Sequence, residues 1–174
     1  MRTDPKSFIP IIVNEIRNFK SPKSTLLKRF GQADLITQEG VKAWIEAKDA
    51  FASQPSLPEL QWSDGLALAA QDHCSDVGAK GVVSHDGSDG SKVWHRMERY
   101  GKGAGTLGEN LSFGNSRGDE YMTSLWIDDG VADRGHRSAI TNKAYTKVGI
   151  AYCPHKSVYE GMVAIAYATS FEIS

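Results

Sequence analysis

Residues 158–171 form one long run in which Val163, Ile165, Tyr167, Thr169 and Phe171 alternate with Met162, Ala164, Ala166 and Ala168. Strand side chains point alternately to opposite faces, so a half-exposed strand alternates apolar with polar residues. Here both sets are largely apolar and the second is small, which predicts a strand covered on both faces. A second β-like stretch at 148–153 connects to it through 154–157, a length that favours antiparallel pairing. A doubly covered sheet needs helices to cover it, so the pattern implies an α+β fold with a sheet sandwiched between helices.

The helices are legible upstream. Residues 7–20 place Ile9, Ile12, Val13 and Ile16 on one face, after Pro5 and before the break at Ser21 and Pro22. A second helix is expected from near Thr37, carrying Val41, Trp44, Ile45 and Phe51 inward, with residues 54–58 as a proline-bearing connector. Ser63 is a good N-cap for a third helix whose buried side holds Leu66, Ala67, Ala69, Ala70, His73, Cys74 and Val77, closed by Gly78 and Gly81. A glycine-rich loop at 84–90 follows. Ser91 then caps a short helix through Val93, Trp94, Met97 and Tyr100, residues 111–113 read as a short strand, and Asp119 opens a helix bearing Met122, Leu125 and Trp126. The expected organisation is one domain overall, with residues 1–56 as an N-terminal helical part packing on a core of 57–174.

Composition narrows the function classes. At 174 residues with a net charge of −1, the chain gives no reason to expect a nucleic-acid partner. Residues 1–30 hold seven basic and two acidic side chains, which reads as a solvated helix face. No apolar run approaches the ~20 residues that span a bilayer. The polar, proline-broken start does not resemble a signal peptide, so the chain reads either as intracellular or as a mature fragment with an added methionine. Cys74 and Cys153 are too few for a disulfide scaffold and lack metal-ligand spacing, so one bridge and two free thiols both stand open.

Four residues carry the chemistry: His85, Glu109, Asp129 and His136. They lie in the segments Ser84-His85-Asp86, Gly108-Glu109-Asn110, Asp128-Asp129 and Gly135-His136-Arg137. Two imidazoles and two carboxylates can bind a divalent cation and manage the protons of its water. Each also has an ordinary structural reading: a hydrogen-bonded histidine, a braced turn, or a helix start. Competing motifs are weaker. The string of residues 103–108 matches a dinucleotide loop in spacing but has a helix before it and a strand after it, and it reads as a flexible connector. The Asp86-Gly87-Ser88-Asp89-Gly90 segment lacks the glutamate of a calcium loop, since the twelfth position is Met97. No nucleophile elbow surrounds Ser84, and Cys74 follows His73 directly, so their side chains diverge on a helix.

The ordered set Leu60-x-Trp62, Ser84-His85, Gly108-Glu109-Asn110-Leu111, Gly135-His136-Arg137 and Val148-Gly149-Ile150 resembles the CAP superfamily, that is, the cysteine-rich secretory, antigen-five and pathogenesis-related-one proteins with their SCP domain. The resemblance is strong over 57–171, weaker at 2–10, and closest to the cysteine-poor, bacterial-like branch. It implies an α-β-α sandwich with a central antiparallel sheet flanked by helices. It also implies a cleft in which His85 and His136 bind zinc or another divalent cation, with Glu109 and Asp129 orienting water or acting as secondary ligands. The family's usual glutamate three residues after a tryptophan is Asp129 here, one methylene shorter, and Asp128 is a rival for the role. The resemblance further implies a secreted, extracellular, non-enzymatic module, monomer or weak dimer, that binds a protein, glycan or lipid partner in signalling or defence. Two alternatives stand beside it: a metal-dependent, protease-like hydrolase with Glu109 and Asp129 as candidate catalytic residues, and a sterol or fatty-acid binding protein.

Overall fold

The computed structural model describes residues 1–31, 33–115 and 117–173. They form the helices and strands of the α+β class, and the chain divides into two compact units. One unit joins Met1–Pro58 to Met122–Thr141, and the other joins Glu59–Tyr121 to Asn142–Ser174. Residues 122–141 thus cluster with the N-terminal helices.

The second unit is built on a sheet. Its strands are β3 (Gln61–Trp62), β4 (Gly101–Phe113), β5 (Lys147–His155) and β6 (Glu160–Ile173), in the order β3-β5-β6-β4; the first two strands of the chain lie in the helical unit. β6 pairs antiparallel with both β5 and β4, while the two-residue β3 runs parallel to β5 at the edge. As its composition predicts, β6 is buried from Gly161 to Ala168 without a break. Met162, Ala164, Ala166 and Ala168 face one core with Leu66, Ala69, Ala70, Cys74 and Val77 of α3 (Asp64–Lys80). Small side chains on both partners let the helix sit close. At Gly149 of β5 an added Cβ would lie 2.0 Å from the Ala67 nitrogen, so only glycine fits that crossing. A disulfide between Cys74 and Cys153 ties α3 to β5 and closes the question that the sequence left open.

The helical unit carries α1 (Ile9–Arg17), α2 (Val41–Ser53), α6 (Gly135–Ile140), residues 122–127 of α5 (Gly118–Ile127), and a small hairpin of β1 (Leu26–Leu27) and β2 (Leu35–Ile36). An aromatic column forms its core: Phe8 stacks on Phe51 at 5.6 Å, and Phe51 on Trp126 at 4.0 Å. The Trp126 indole donates to the Ala47 carbonyl at 3.0 Å, so this large buried ring keeps its polar atom satisfied.

Two expectations are corrected. The second helix begins at Val41 rather than near Thr37, because Gly40 adopts φ 67°, a left-handed value that interrupts helical geometry. Residues 103–108 are part of β4, not a flexible connector. Their glycines are there for close approach and for a register shift: a Cβ at Gly108 would fall 2.2 Å from the Tyr145 hydroxyl, and Gly105 sits at φ 76° where the ladder slips between Ala104 and Leu107.

Candidate functional site

His85 lies in the loop that follows α3. Gly81 ends that helix in the left-handed conformation, and the Val82 amide returns to the Val77 carbonyl at 3.0 Å. His73, buried on the helix, donates from Nε2 to the Ser84 carbonyl at 2.8 Å and so pins the loop one residue before His85. Burial holds the His73 imidazole below the usual histidine value, so the ring is neutral with its proton on Nε2.

Glu109 points from β4, where it pairs with Ala166 of β6. Its side chain is 3% exposed, whereas the His85 imidazole is 57% exposed. One carboxylate oxygen meets His85 Nδ1 at 2.8 Å; the other accepts from Arg96 at 2.7 Å. Arg96, on α4 (Val93–Glu98), is 2% exposed and also donates to the Ser91 carbonyl at 2.9 Å. Burial alone would raise the carboxyl pKa. The hydrogen bond to His85 and the charge of Arg96 outweigh it and hold Glu109 below the ordinary glutamate range. Glu109 is therefore a fixed anion with both oxygens engaged.

The second histidine is built differently. Asp128 adopts φ 58°, a conformation that short polar side chains tolerate better than most, and so turns its carboxylate toward the start of α6. One oxygen accepts from the His136 amide at 2.9 Å and the other meets His136 Nδ1 at 2.6 Å. One aspartate thus caps the helix and orients the imidazole. The hydrogen bond to Asp128 outweighs the effect of burial and raises the His136 pKa above the usual histidine value. Asp129 does something else: its two oxygens accept from the Gln38 and Glu39 amides at 2.6 and 2.8 Å, ahead of α2. Between the candidates Asp128 and Asp129, it is Asp128 that contacts the histidine. Around the turn, Arg134 donates to Glu39 and Glu46, and Arg137 to Glu46 and the Trp126 carbonyl. Among the described residues, no three His, Cys, Asp or Glu side chains gather as a metal cluster would.

His85 thus meets Glu109, and His136 meets Asp128. Arg96 and His73 are parts of the site that the motif reading missed. Arg96 did leave a signal, as a basic residue three after Val93 and four before Tyr100, inside the apolar stripe of a short helix.

The chain belongs to the CAP family, the cysteine-rich secretory protein family, whose pattern matches residues 12–167. That span reaches well into the N-terminal helical part, beyond the motifs visible in the sequence. Among similar proteins is the uncharacterized protein YkwD of Bacillus subtilis (strain 168), 25% identical over 118 residues, or 68% of this chain and 44% of the relative. The chain therefore spans less than half the length of that relative. Among solved structures, an outer surface protein from Borrelia burgdorferi superposes with a TM-score of 0.54 at 17% identity, covering 64% of this chain and 78% of that one. An extracellular protein containing a SCP domain from Bacillus anthracis str. Ames gives 0.50 at 22% identity, covering 72% and 37%. At these identities the likeness concerns the fold. Among the described residues, no helix is long and apolar enough to cross a membrane.

Proposed function

We propose that this CAP module is an extracellular binding protein rather than a hydrolase, and that His85 with Glu109 and His136 with Asp128, each pair taken within its own unit, are candidate ligand sets for a divalent cation, zinc in the first instance. The observation that carries this reading is the engagement of Glu109. A general base works best when it is free to approach the proton it takes and has a pKa near the working pH. Glu109 has both oxygens hydrogen-bonded and a lowered pKa, so it serves as an orienting anion. Metal-ligating histidines characteristically give their second ring nitrogen to a carboxylate, which fixes the ring and its tautomer. His85 and His136 both have Nδ1 on a carboxylate, so Nε2 is the nitrogen that a cation would take. A bound cation would supply Lewis acidity, and with few protein ligands it would leave coordination positions for a group of a protein, glycan or lipid partner. The extracellular assignment draws on the family and on the description of the Bacillus anthracis relative.

Calorimetric zinc titration tests the reading. Saturable binding in the wild type that disappears in His85→Ala/His136→Ala supports it; unchanged affinity in the double variant overturns it. Peptide or ester turnover that stops with a chelator and with Glu109→Gln would establish the hydrolase instead.

A second reading has its own observation. Ile16, Phe19, Val41 and Ile45 line an apolar groove of about 340 Å³ in the helical unit, within the size range of small-ligand pockets. Fatty-acid or sterol carriage there would show as saturable palmitate or sterol binding that Val41→Asp abolishes; no binding removes it.

A further inference from the structure

Behind the loop that presents His85 lies a cavity of about 130 Å³, lined by residues of α3, the 88–91 turn and α4. Its rim is charged and partly exposed: Arg99 bridges Asp72 at 3.0 Å and Asp89 at 2.8 Å. Two further lining residues, His73 and Arg96, are almost wholly buried. Each has one polar atom, His73 Nδ1 and Arg96 Nε, with no hydrogen-bond partner among the described residues. Buried polar atoms are seldom left unpaired.

The remaining atoms of both side chains are committed. His73 Nε2 donates to the Ser84 carbonyl, which can only accept, so in the neutral ring Nδ1 is an acceptor. The terminal nitrogens of Arg96 go to Ser91 and Glu109, which leaves Nε–H as a donor. One unpaired acceptor and one unpaired donor thus belong to two residues that line the same cavity.

We propose that this cavity is a binding site for a hydroxyl group, which donates to His73 Nδ1 and accepts from Arg96 Nε–H. The other ligand classes fit poorly. A cation would face the Arg96 and Arg99 guanidinium groups, and the nearby carboxylates are already engaged: Asp72 and Asp89 by Arg99, and Asp76 by Lys80 and by the Ser88 amide at 2.7 Å. An anion would face those carboxylates and the Nδ1 lone pair. A hydroxyl is neutral and carries both functions in one atom. Its source is either a water molecule or a small polyol, since the volume exceeds what one water needs. Bound there, it joins His73, which pins the His85 loop, to Arg96, which holds Glu109.

The test is a high-resolution crystal structure of the full chain grown without any polyol, a second one soaked in glycerol, and the same pair for two variants. His73→Asn keeps an acceptor near the Nδ1 position. His73→Gln keeps a donor near Nε2 for Ser84 and loses the Nδ1 acceptor. The proposal expects an oxygen at about 2.7–3.2 Å from both His73 Nδ1 and Arg96 Nε in the wild type, kept in His73→Asn and lost in His73→Gln. An oxygen present without glycerol assigns the site to water, and glycerol density replacing it assigns the site to polyols. A wild-type structure with no oxygen between the two atoms, or with either atom bonded to protein, overturns the proposal. Should His73→Gln fail to fold, the two wild-type structures decide the matter.

Discussion

His85 and His136 have the same partner chemistry, a carboxylate on Nδ1, but the two carboxylates are secured by opposite means. Glu109 is buried in a sheet and kept ionised by its hydrogen bond to His85 and by a buried arginine. Asp128 sits in a strained turn and holds its histidine with the same group that caps a six-residue helix. The imidazoles differ in turn: His85 is mostly exposed, whereas the His136 side chain is 27% exposed. The first histidine therefore adds little packing, and what it contributes to the fold is its hydrogen bond to the buried carboxylate. In the second pair, orientation and local folding share one side chain.

Removing the first carboxylate should have the largest effect. Glu109→Ala leaves Arg96 buried without its counter-charge and is expected to cost about 3–5 kcal/mol in urea unfolding. Adding Arg96→Met should recover much of that loss, and a double variant no more stable than the single one would show that the ion pair is not the source. Next comes the covalent tie between α3 and β5. Opening the bridge from Cys74 to Cys153 with a double alanine substitution should cost about 2–4 kcal/mol, because the bridge closes a long loop of 79 residues. Asp128→Ala should cost less, about 1–2 kcal/mol for the lost cap, and should bring the His136 pKa down toward its ordinary value in an NMR titration. An unmoved pKa would mean that Asp128 does not set it.

The two pairs also fail at opposite ends of the pH scale. His136 has a raised pKa in the fold, so its contribution is complete below the unfolded value of about 6.5 and is lost as pH climbs through the folded pKa. Glu109 has a lowered pKa, so its contribution is present above the unfolded carboxyl value and disappears as pH falls through the folded one. Stability measured against pH should thus lose its alkaline-side slope in Asp128→Ala and part of its acid-side slope in Glu109→Gln. The smallest effect belongs to His85→Ala, about 1 kcal/mol, because the exposed ring adds little packing and what is lost is its hydrogen bond to Glu109.

What the sequence revealed follows the same division. The doubly apolar run of β6 announced a covered strand, and Ser63 announced the start of α3, because period and capping are local signals. The motif around Glu109 was legible, but β4 as a whole was hidden: its glycines look like loop composition, whereas they answer to the Tyr145 hydroxyl and a register slip, neither of which is local. Of the adjacent aspartates, Asp128 is the one that reaches His136, because its left-handed backbone turns the carboxylate onto α6. A one-letter sequence does not carry that backbone angle. Arg96 was missed because a buried arginine is recognised by its partner, and Glu109 lies 13 residues away on another element.

The central claim is that carboxylates fix both histidines through Nδ1 so that Nε2 can take a cation. Nitrogen-15 NMR of histidine-labelled protein during zinc addition tests it most directly. The account predicts that the Nε2 resonances of His85 and His136 move on zinc binding while each Nδ1 stays protonated and hydrogen-bonded. Resonances that do not respond to zinc, or zinc taken at Nδ1 with loss of the carboxylate bond, would contradict it.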